Sequence, residues 1–373
     1  MCTLASSSRP QRDGQRRPQL ISLLEATANE RRDLPLNGFD DRIVAWAIQS
    51  GLGPLFYRTA KQAPGNTACR YWNPLKAADL TAQVVIGDQL EAMAEIIDAC
   101  RGQLPSLTLL KGISIADECY PETHLRLMRD LDFMIERQFF PTVKGLLERL
   151  GYRQQCDTPA EQYETHHHAA PFYHREKRVW VEVHHALLSP QRRASKAMVF
   201  QPENVFAQLR ASDFRGRQVR RLSSELQLVY LATHWAQDFN RIGSLIAVMD
   251  TLYLLKHAGN EFRWDWVVNS VHGSIVATYL YLLLSYMDLY QLIRVAPEIL
   301  SELFLSQTSF GRASLKAAHA IIDRYFVTGQ EFGLLSERTV RIVWNTLMLP
   351  GPPWRNLMLT PINLSLPYYC RIR

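Results

Sequence analysis

The stretch "RLMRDLDFMI", Arg126 to Ile135, decides how the chain is read, because two carboxylates stand inside an otherwise apolar segment. Alternation along a strand puts residues two apart on one face, so Asp130 and Asp132 project together while Leu131 and Phe133 point to the core. Two residues of strand rise separate them by roughly 6–7 Å at the backbone. Carboxylates held that close repel, and a divalent cation with oxygen ligands, magnesium best of all, removes the repulsion. The charged face of this strand is therefore expected to be exposed, serving metal rather than packing.

Upstream, "SLTLLKG" is an apolar run short enough for a strand at about 106–111, and "ISIADECY" reads as a short helix. Before it, "ADLTAQVVIGDQLEAMAEIIDACRGQ" is one long amphipathic helix ended by Gly102 and Pro105. Downstream, "PTVKGLLERLGY" is a helix with proline in its first turn and glycine at its end. Then "APFYHR" and "RVWVEVHHAL" read as strands, the second with Val179, Val181 and Val183 on one side and Trp180, Glu182 and His184 on the other. A metal site that transfers a phosphoryl or nucleotidyl group needs acidic ligands from more than one strand, and Glu182 is the candidate for a third.

The flanks are helical. "LISLLEATAN" and "DDRIVAWAIQSGLGPLFYRTA" carry helical apolar spacing, and from "SSELQLVYLATHWAQ" the pattern is helical again, with Ser223 or Ser224 as N-cap. The expected organisation is a basic arm over 1–18, a helical region over 19–80, an α/β core over 81–190, a helical domain over 191–346 and a proline-rich irregular tail over 347–373. The basic run "RASDFRGRQVRRL" lacks the interleaved aromatics of a nucleic-acid stacking platform and is expected to be a solvated connector.

Composition sets outer bounds. A chain of 373 residues, 47% hydrophobic and 21% charged, has material for two or three packed units. The longest apolar run, "IVATYLYLLLSYM" from Ile275, falls short of the ~20 residues of a bilayer span and reads as a buried helix. The polar, arginine-rich start has no apolar signal segment, and the cysteines are scattered without a C-x-x-C pair, which points to a reducing cytoplasm. A net charge of +6 suits a polyanionic partner such as a nucleoside triphosphate or RNA.

In this order, "LLKG" (Leu109 to Gly112), "YPETHLRLMRDLDFMI", "LLERLGY" and "VWVEVHHAL" resemble an uncharacterised bacterial nucleotidyltransferase family of the polymerase-β-like superfamily. The family pattern is an L-K-G strand end, a tyrosine, R-x-M-x-D-x-D followed by apolar residues, and a late V-E-x-H. Here Lys111, Gly112, Tyr120, Arg126, Met128, Asp130, Asp132, Glu182 and His184 supply it. "AIQSGLGPLFYRTA", "LVYLATHWAQ" and "LIAVMDTLYLL" are similar to the family's flanking helices.

The resemblance implies an α+β fold: a small mixed sheet with helices, flanked by amino-terminal helices and a carboxy-terminal helical bundle. It implies metal-dependent transfer of a nucleoside monophosphate from a nucleoside triphosphate to a hydroxyl of an acceptor (small molecule, peptide, protein or RNA), with release of pyrophosphate. Asp130, Asp132 and Glu182 would hold two Mg2+ ions, with Mn2+ as the substitute, and Glu182 would also polarise the acceptor hydroxyl. Lys111, Gly112, Arg126, Arg129 and His184 would serve the nucleotide. The wider superfamily has Gly-Ser at its phosphate-gripping turn where this chain has Lys111-Gly112-Ile113, a change the family shares. A lysine with the N–H groups of a helix start binds phosphate without a serine, and Arg126 and Arg129 add charge.

Two readings from other classes stand beside this one. The same fold could be a non-catalytic scaffold that binds nucleotide or protein. Alternatively, His166, His167, His168, His174, His184 and His185 could build a His/Asp metal-dependent phosphohydrolase. Against the latter, consecutive histidines in strands point to opposite faces and no H-x-x-x-H spacing occurs, so no ready-made ligand set is expected.

Overall fold

The computed structural model describes residues 19–155, 163, 166–237, 244–307, 312–323, 342–346, 349 and 352–365. The expected basic arm over 1–18 and the last residues of the tail lie outside that set. The chain divides into two compact units, one of Ala77–Tyr230 and one of Met1–Lys76 with Leu231–Arg373.

The second of these begins with helices α1 (Gln19–Ala28), α2 (Asp41–Gln49) and α3 (Gly53–Ala60). Asp40 starts α2 by accepting a hydrogen bond from the Arg42 N–H at 2.8 Å, satisfying a donor that the first helical turn leaves free. Helix α4 (Trp72–Cys100) follows. Ile86, Met93, Ile96, Ile97 and Cys100 recur on its buried side at helical spacing.

The sheet-bearing unit then runs through β1 (Thr108–Leu109), α5 (Lys111–Cys119), β2 (Asp130–Met134), α6 (Phe140–Arg149), β3 (Arg153–Gln154), β4 (Phe172–His174) and β5 (Val179–His184). It closes with α7 (Pro202–Ala207), β6 (Leu209–Phe214) and β7 (Arg217–Leu222), before α8 (Ser224–Gln237). The strands form a 7-stranded mixed sheet in the order β3-β4-β5-β2-β1-β7-β6, with β2–β5 and β1–β7 parallel and the other pairs antiparallel.

Leu131, Phe133, Val179, Val181 and Val183 from one sheet face join Ile86, Met93 and Ile97 of α4 and Val143, Leu146 and Leu147 of α6 in a single apolar cluster. Burial of each such side chain contributes about 1.5–3 kcal/mol, so this face sets the register. The residues between them, Asp130, Asp132, Glu182 and His184, are thereby turned to the other face.

The basic run over Arg210–Leu222 is not a solvated connector, and the helical reading from residue 191 does not hold there. It forms the β6–β7 hairpin and widens the sheet. Arg215 and Gly216 take φ of 52° and 82°, the positive angles that a tight two-residue hairpin turn requires. The Gly216 N–H donates to Asp213 Oδ1 at 2.9 Å, and the Arg220 N–H donates to the Leu107 carbonyl at 2.7 Å, joining β7 to β1. The many arginines hide the strand period, because one of them, Arg221, is itself buried.

Ser223 caps α8, its hydroxyl accepting from the Leu226 N–H at 3.2 Å. The chain continues through α9 (Ser244–Ala258), α10 (Trp264–Val271), α11 (Ile275–Leu289), α12 (Pro297–Ser306) and α13 (Arg312–Ile321). Helix α11 is the apolar run read as a buried helix, and no described helix is long and apolar enough to cross a membrane. Where an irregular tail is expected, α14 (Pro353–Ser365) is helical. Pro353 opens it at a position whose N–H is not needed, so this proline starts the helix instead of breaking it.

Candidate active site

The parallel pairing of β2 and β5 sets Asp132 beside Glu182, Asp130 beside Trp180 and Met134 beside His184. Two carboxylates from neighbouring strands thus meet side by side. On the other flank of β2, the Leu110 N–H donates to the Asp132 carbonyl at 3.0 Å. The next residue, Lys111, turns the chain into α5 with φ of 46°, a left-handed conformation that costs a non-glycine residue roughly 1–2 kcal/mol. That turn brings its ammonium to 2.7 Å from Asp132 Oδ1 and 3.7 Å from Glu182 Oε2. From the far end of β5, His184 Nε2 lies 2.7 Å from the same Asp132 oxygen and 3.5 Å from Glu182 Oε2.

Asp132 is only 2% exposed, so the expectation of an exposed charged face fails for it and holds in part for the partly buried Asp130. The cause is the turn at Lys111, which lays a long side chain over the carboxylate. Asp132, Glu182 and His184 each present a ligand atom within 4.8 Å of the others, and Asp130 stands two residues back on the same face.

Burial, and next the charge of Asp132, push the Asp130 carboxyl up to about 7, although Lys111 and Arg126 act against the rise. Burial would also raise Asp132, but Lys111 and the hydrogen bond from His184 overcome it and hold that carboxyl well below its usual range. Glu182 behaves in the same way and ends lowered, by the His184 hydrogen bond and the charge of Lys111 against burial. Burial and the neighbouring Lys111 work to deprotonate His184, yet its bonds to Asp132 and Glu182 raise it. Lys111 is raised well above the ordinary lysine value against its burial, by the charge of Asp132 first, with Glu182 and Asp130 adding to it. Near neutrality the cluster therefore holds ionised Asp132 and Glu182, a charged Lys111 and a third carboxyl, Asp130, that keeps a proton part of the time.

Gly112 follows the strained lysine. A Cβ there would meet Arg126 Nη1 at 2.5 Å and Met128 Cγ at 2.9 Å, so Arg126 and Met128 lie directly on the backbone of the turn. Arg126 is fixed there by donating to the Leu127 carbonyl at 3.0 Å, and its charge reaches Asp130. The glycine of L-K-G and the arginine and methionine of R-x-M are thus one packing unit. Arg129 is exposed, and Tyr120 is buried at the end of α5.

The histidines depart from expectation. His166 and His167 lie in bends, and only His168 forms a bridge, antiparallel to His184. Freed from strand alternation, the three rings gather with centroids 4.2–4.6 Å apart. His185 packs edge-on to Phe140 of α6 at 5.4 Å, on the helical side, and burial pushes it down to about 4.

A family model described as "uncharacterised nucleotidyltransferase" matches residues 39–291, taking in the whole sheet-bearing unit and helices on either side of it. The chain belongs to this nucleotidyltransferase family. A solved structure of the antibiotic-resistance factor ANT(2'')-Ia is similar at 15% identity, over 46% of this chain and 85% of that chain, with a TM-score of 0.32. No curated protein matches.

In this nucleotidyltransferase, Asp130, Asp132, Glu182 and His184 line one face of β2 and β5, and Lys111, Gly112 and Arg126 lie at the turn that leads into α5 beside them. His184 pairs with the carboxylates, and Arg129 is the residue of the set that stands apart in exposure. Tyr230 of α8 lies within electrostatic reach of Lys111 and is not among the sequence candidates. No local signal marks it, since it lies in an ordinary helical period far along the chain.

Proposed function

We propose that this nucleotidyltransferase moves a nucleoside monophosphate from a nucleoside triphosphate to a hydroxyl of an acceptor, with a divalent cation held by Asp130, Asp132 and Glu182. The observation that carries this is the meeting of Asp132 and Glu182 from adjacent strands with Lys111 at the start of α5. The cation fits the donor set: three carboxylates face Lys111 and a histidine, and Asp130 is raised to about 7 partly by the charge of its neighbours. Magnesium, or manganese in its place, supplies charge neutralisation to the carboxylates and to the triphosphate oxygens when bound.

The protein's own groups divide the remaining work. Lys111 and the N–H groups at the start of α5 bind the triphosphate, because a helix start carries partial positive charge. Arg126, packed on Gly112, adds a second positive group beside it. Glu182, ionised and 21% exposed, takes the acceptor's proton. The acceptor oxygen bonds to the α-phosphorus as the bond from that phosphorus to the bridging oxygen breaks, and pyrophosphate leaves. Catalysis rests on positioning and charge stabilisation.

The test is calorimetric titration of each nucleoside triphosphate with calcium, which suppresses turnover, into wild-type protein and the Asp130→Asn/Asp132→Asn variant. Magnesium-dependent release of pyrophosphate is measured in parallel. Binding that the double variant loses, with pyrophosphate formed by the wild type alone, is the expected result. Nucleotide binding without any pyrophosphate would instead favour a scaffold, and phosphate release without an acceptor a hydrolase.

A further inference from the structure

Beside the carboxylates lies a cluster that the proposed reaction does not use. One ring nitrogen from each of His166, His167 and His168 lies within 4.8 Å of the other two. Nitrogens bound to one ion at about 2.0–2.1 Å in tetrahedral geometry stand roughly 3.4 Å apart, a closure that small ring rotations supply. The backbone holds this segment to β5: Ala169 N–H donates to the Val183 carbonyl at 2.9 Å, and His185 N–H to the His167 carbonyl at 2.8 Å. The rings are therefore placed by ladder hydrogen bonds and not by a loose loop.

Their protonation suits ligation. His168 Nδ1 lies 2.8 Å from the Ala169 carbonyl, which can only accept, so Nδ1 carries the hydrogen and Nε2 keeps its lone pair. A backbone carbonyl behind the ring is the usual second partner of a metal-bound histidine. The Nδ1 atoms of His166 and His167 are buried without a hydrogen-bond partner. So is Nδ1 of His184, a fully buried residue whose ring centroid is 5.4 Å from that of His167 and 5.3 Å from that of His168. Buried polar atoms in such numbers at one place call for a partner.

We propose that His166, His167 and His168 bind a transition-metal ion of the zinc class, at a site separate from the carboxylates. Imidazole nitrogen selects zinc, cobalt or nickel over magnesium, which prefers oxygen. Three protein ligands leave one tetrahedral position for water or for an oxygen of a bound molecule. Each of the three residues is partly exposed, which gives the ion a way in.

The experiment uses full-length protein without a polyhistidine tag, stripped of metal and titrated with zinc against a chromogenic chelator. One zinc should bind, survive excess magnesium and persist in Asp130→Asn/Asp132→Asn. In His166→Ala/His168→Ala its affinity should drop at least ~100-fold, beyond the loss of an outer hydrogen-bond partner. No zinc binding by the wild type, or zinc lost with the aspartates and kept by the histidine variant, overturns the proposal. Should the histidine variant fail to fold by circular dichroism, X-ray absorption of the zinc-loaded wild type decides. Imidazole nitrogens at about 2.0–2.1 Å are required, and a shell of oxygens alone refutes the site. Neither readout needs nucleotide, so the result stands apart from that of the transferase test.

Discussion

Two buried ionic clusters share the sheet-bearing unit, and they are completed in opposite ways. Arg221, 1% exposed on β7, donates to Ser212 Oγ at 3.0 Å and to the Asp213 carbonyl at 3.1 Å, and it also reaches the Ser114 carbonyl and the Asp117 carboxylate of α5. Its guanidinium is used up on the chain's own acceptors, and it rivets the hairpin to α5. The Lys111 cluster gathers Asp130, Asp132 and Glu182 around one lysine and one histidine, and there Asp130 rises to about 7. Asp130 therefore stays partly protonated there, an acid whose ionisation a bound cation would favour. A saturated cluster holds the fold together, whereas one that keeps an acid partly protonated has room for a cation.

This contrast is broken or sharpened by substitution. Asp132→Asn should lower magnesium-dependent pyrophosphate release by on the order of 10³-fold or more. Its buried place between Lys111 and His184 also predicts a stability loss of about 1–3 kcal/mol in urea denaturation. Activity near wild type in that variant would end the metal proposal. Arg221→Met should show the reverse balance, with about 3–5 kcal/mol of stability lost because the part-buried Asp117 and the carbonyls of Ser114 and Asp213 lose their partner, and with kcat of the folded fraction changed only a few-fold. Loss of activity at unchanged stability would instead make Arg221 part of the active machinery.

Gly112→Ala is a smaller perturbation. Its Cβ would lie 2.5 Å from Arg126 Nη1, so the guanidinium must move. Overpacking of this kind costs about 1–3 kcal/mol, and KM for the triphosphate should rise roughly ten-fold if one charge contact of about 1.5–3 kcal/mol is weakened. An unchanged KM would take Arg126 out of the nucleotide site.

The smallest effect is in pH. In metal-free protein Asp130 titrates at about 7 instead of the ordinary 3.8, so between those values the folded state binds more protons than the unfolded one. This group's contribution to stability therefore falls as pH rises from about 4 to about 7, and then levels. Urea midpoints measured with a chelator across that range should show the decline in wild type and a flatter profile in Asp130→Asn. A wild-type stability that this residue makes rise with pH would contradict the raised titration of Asp130.

Much of the site is legible in the sequence because it depends on strand alternation. Leu131 and Phe133 on one face require Asp130 and Asp132 on the other, and the valines of β5 do the same for Glu182 and His184. The β6–β7 hairpin is not legible, since burying Arg221 depends on Asp117 and Ser114 about a hundred residues away in the chain. The gathering of His166, His167 and His168 is hidden for a similar reason: they lie in bends and a single bridge, where strand alternation does not apply, and their place is set by pairing with β5. Proline in the tail misleads because it weakens a helix without forbidding one: Pro353 opens α14, and Pro361 lies inside it.

The sequence by itself determined the α+β class, the strands that carry the acids and the face on which each acid lies, because these follow from local periodicity and the need to bury one side of a sheet. Only the tertiary structure decided that β2 and β5 run parallel with Asp132 opposite Glu182, that Lys111 folds back onto both, and that Asp132 is buried. Those distances arise from long-range strand pairing and one left-handed turn, and no nearest-neighbour pattern in the chain encodes either.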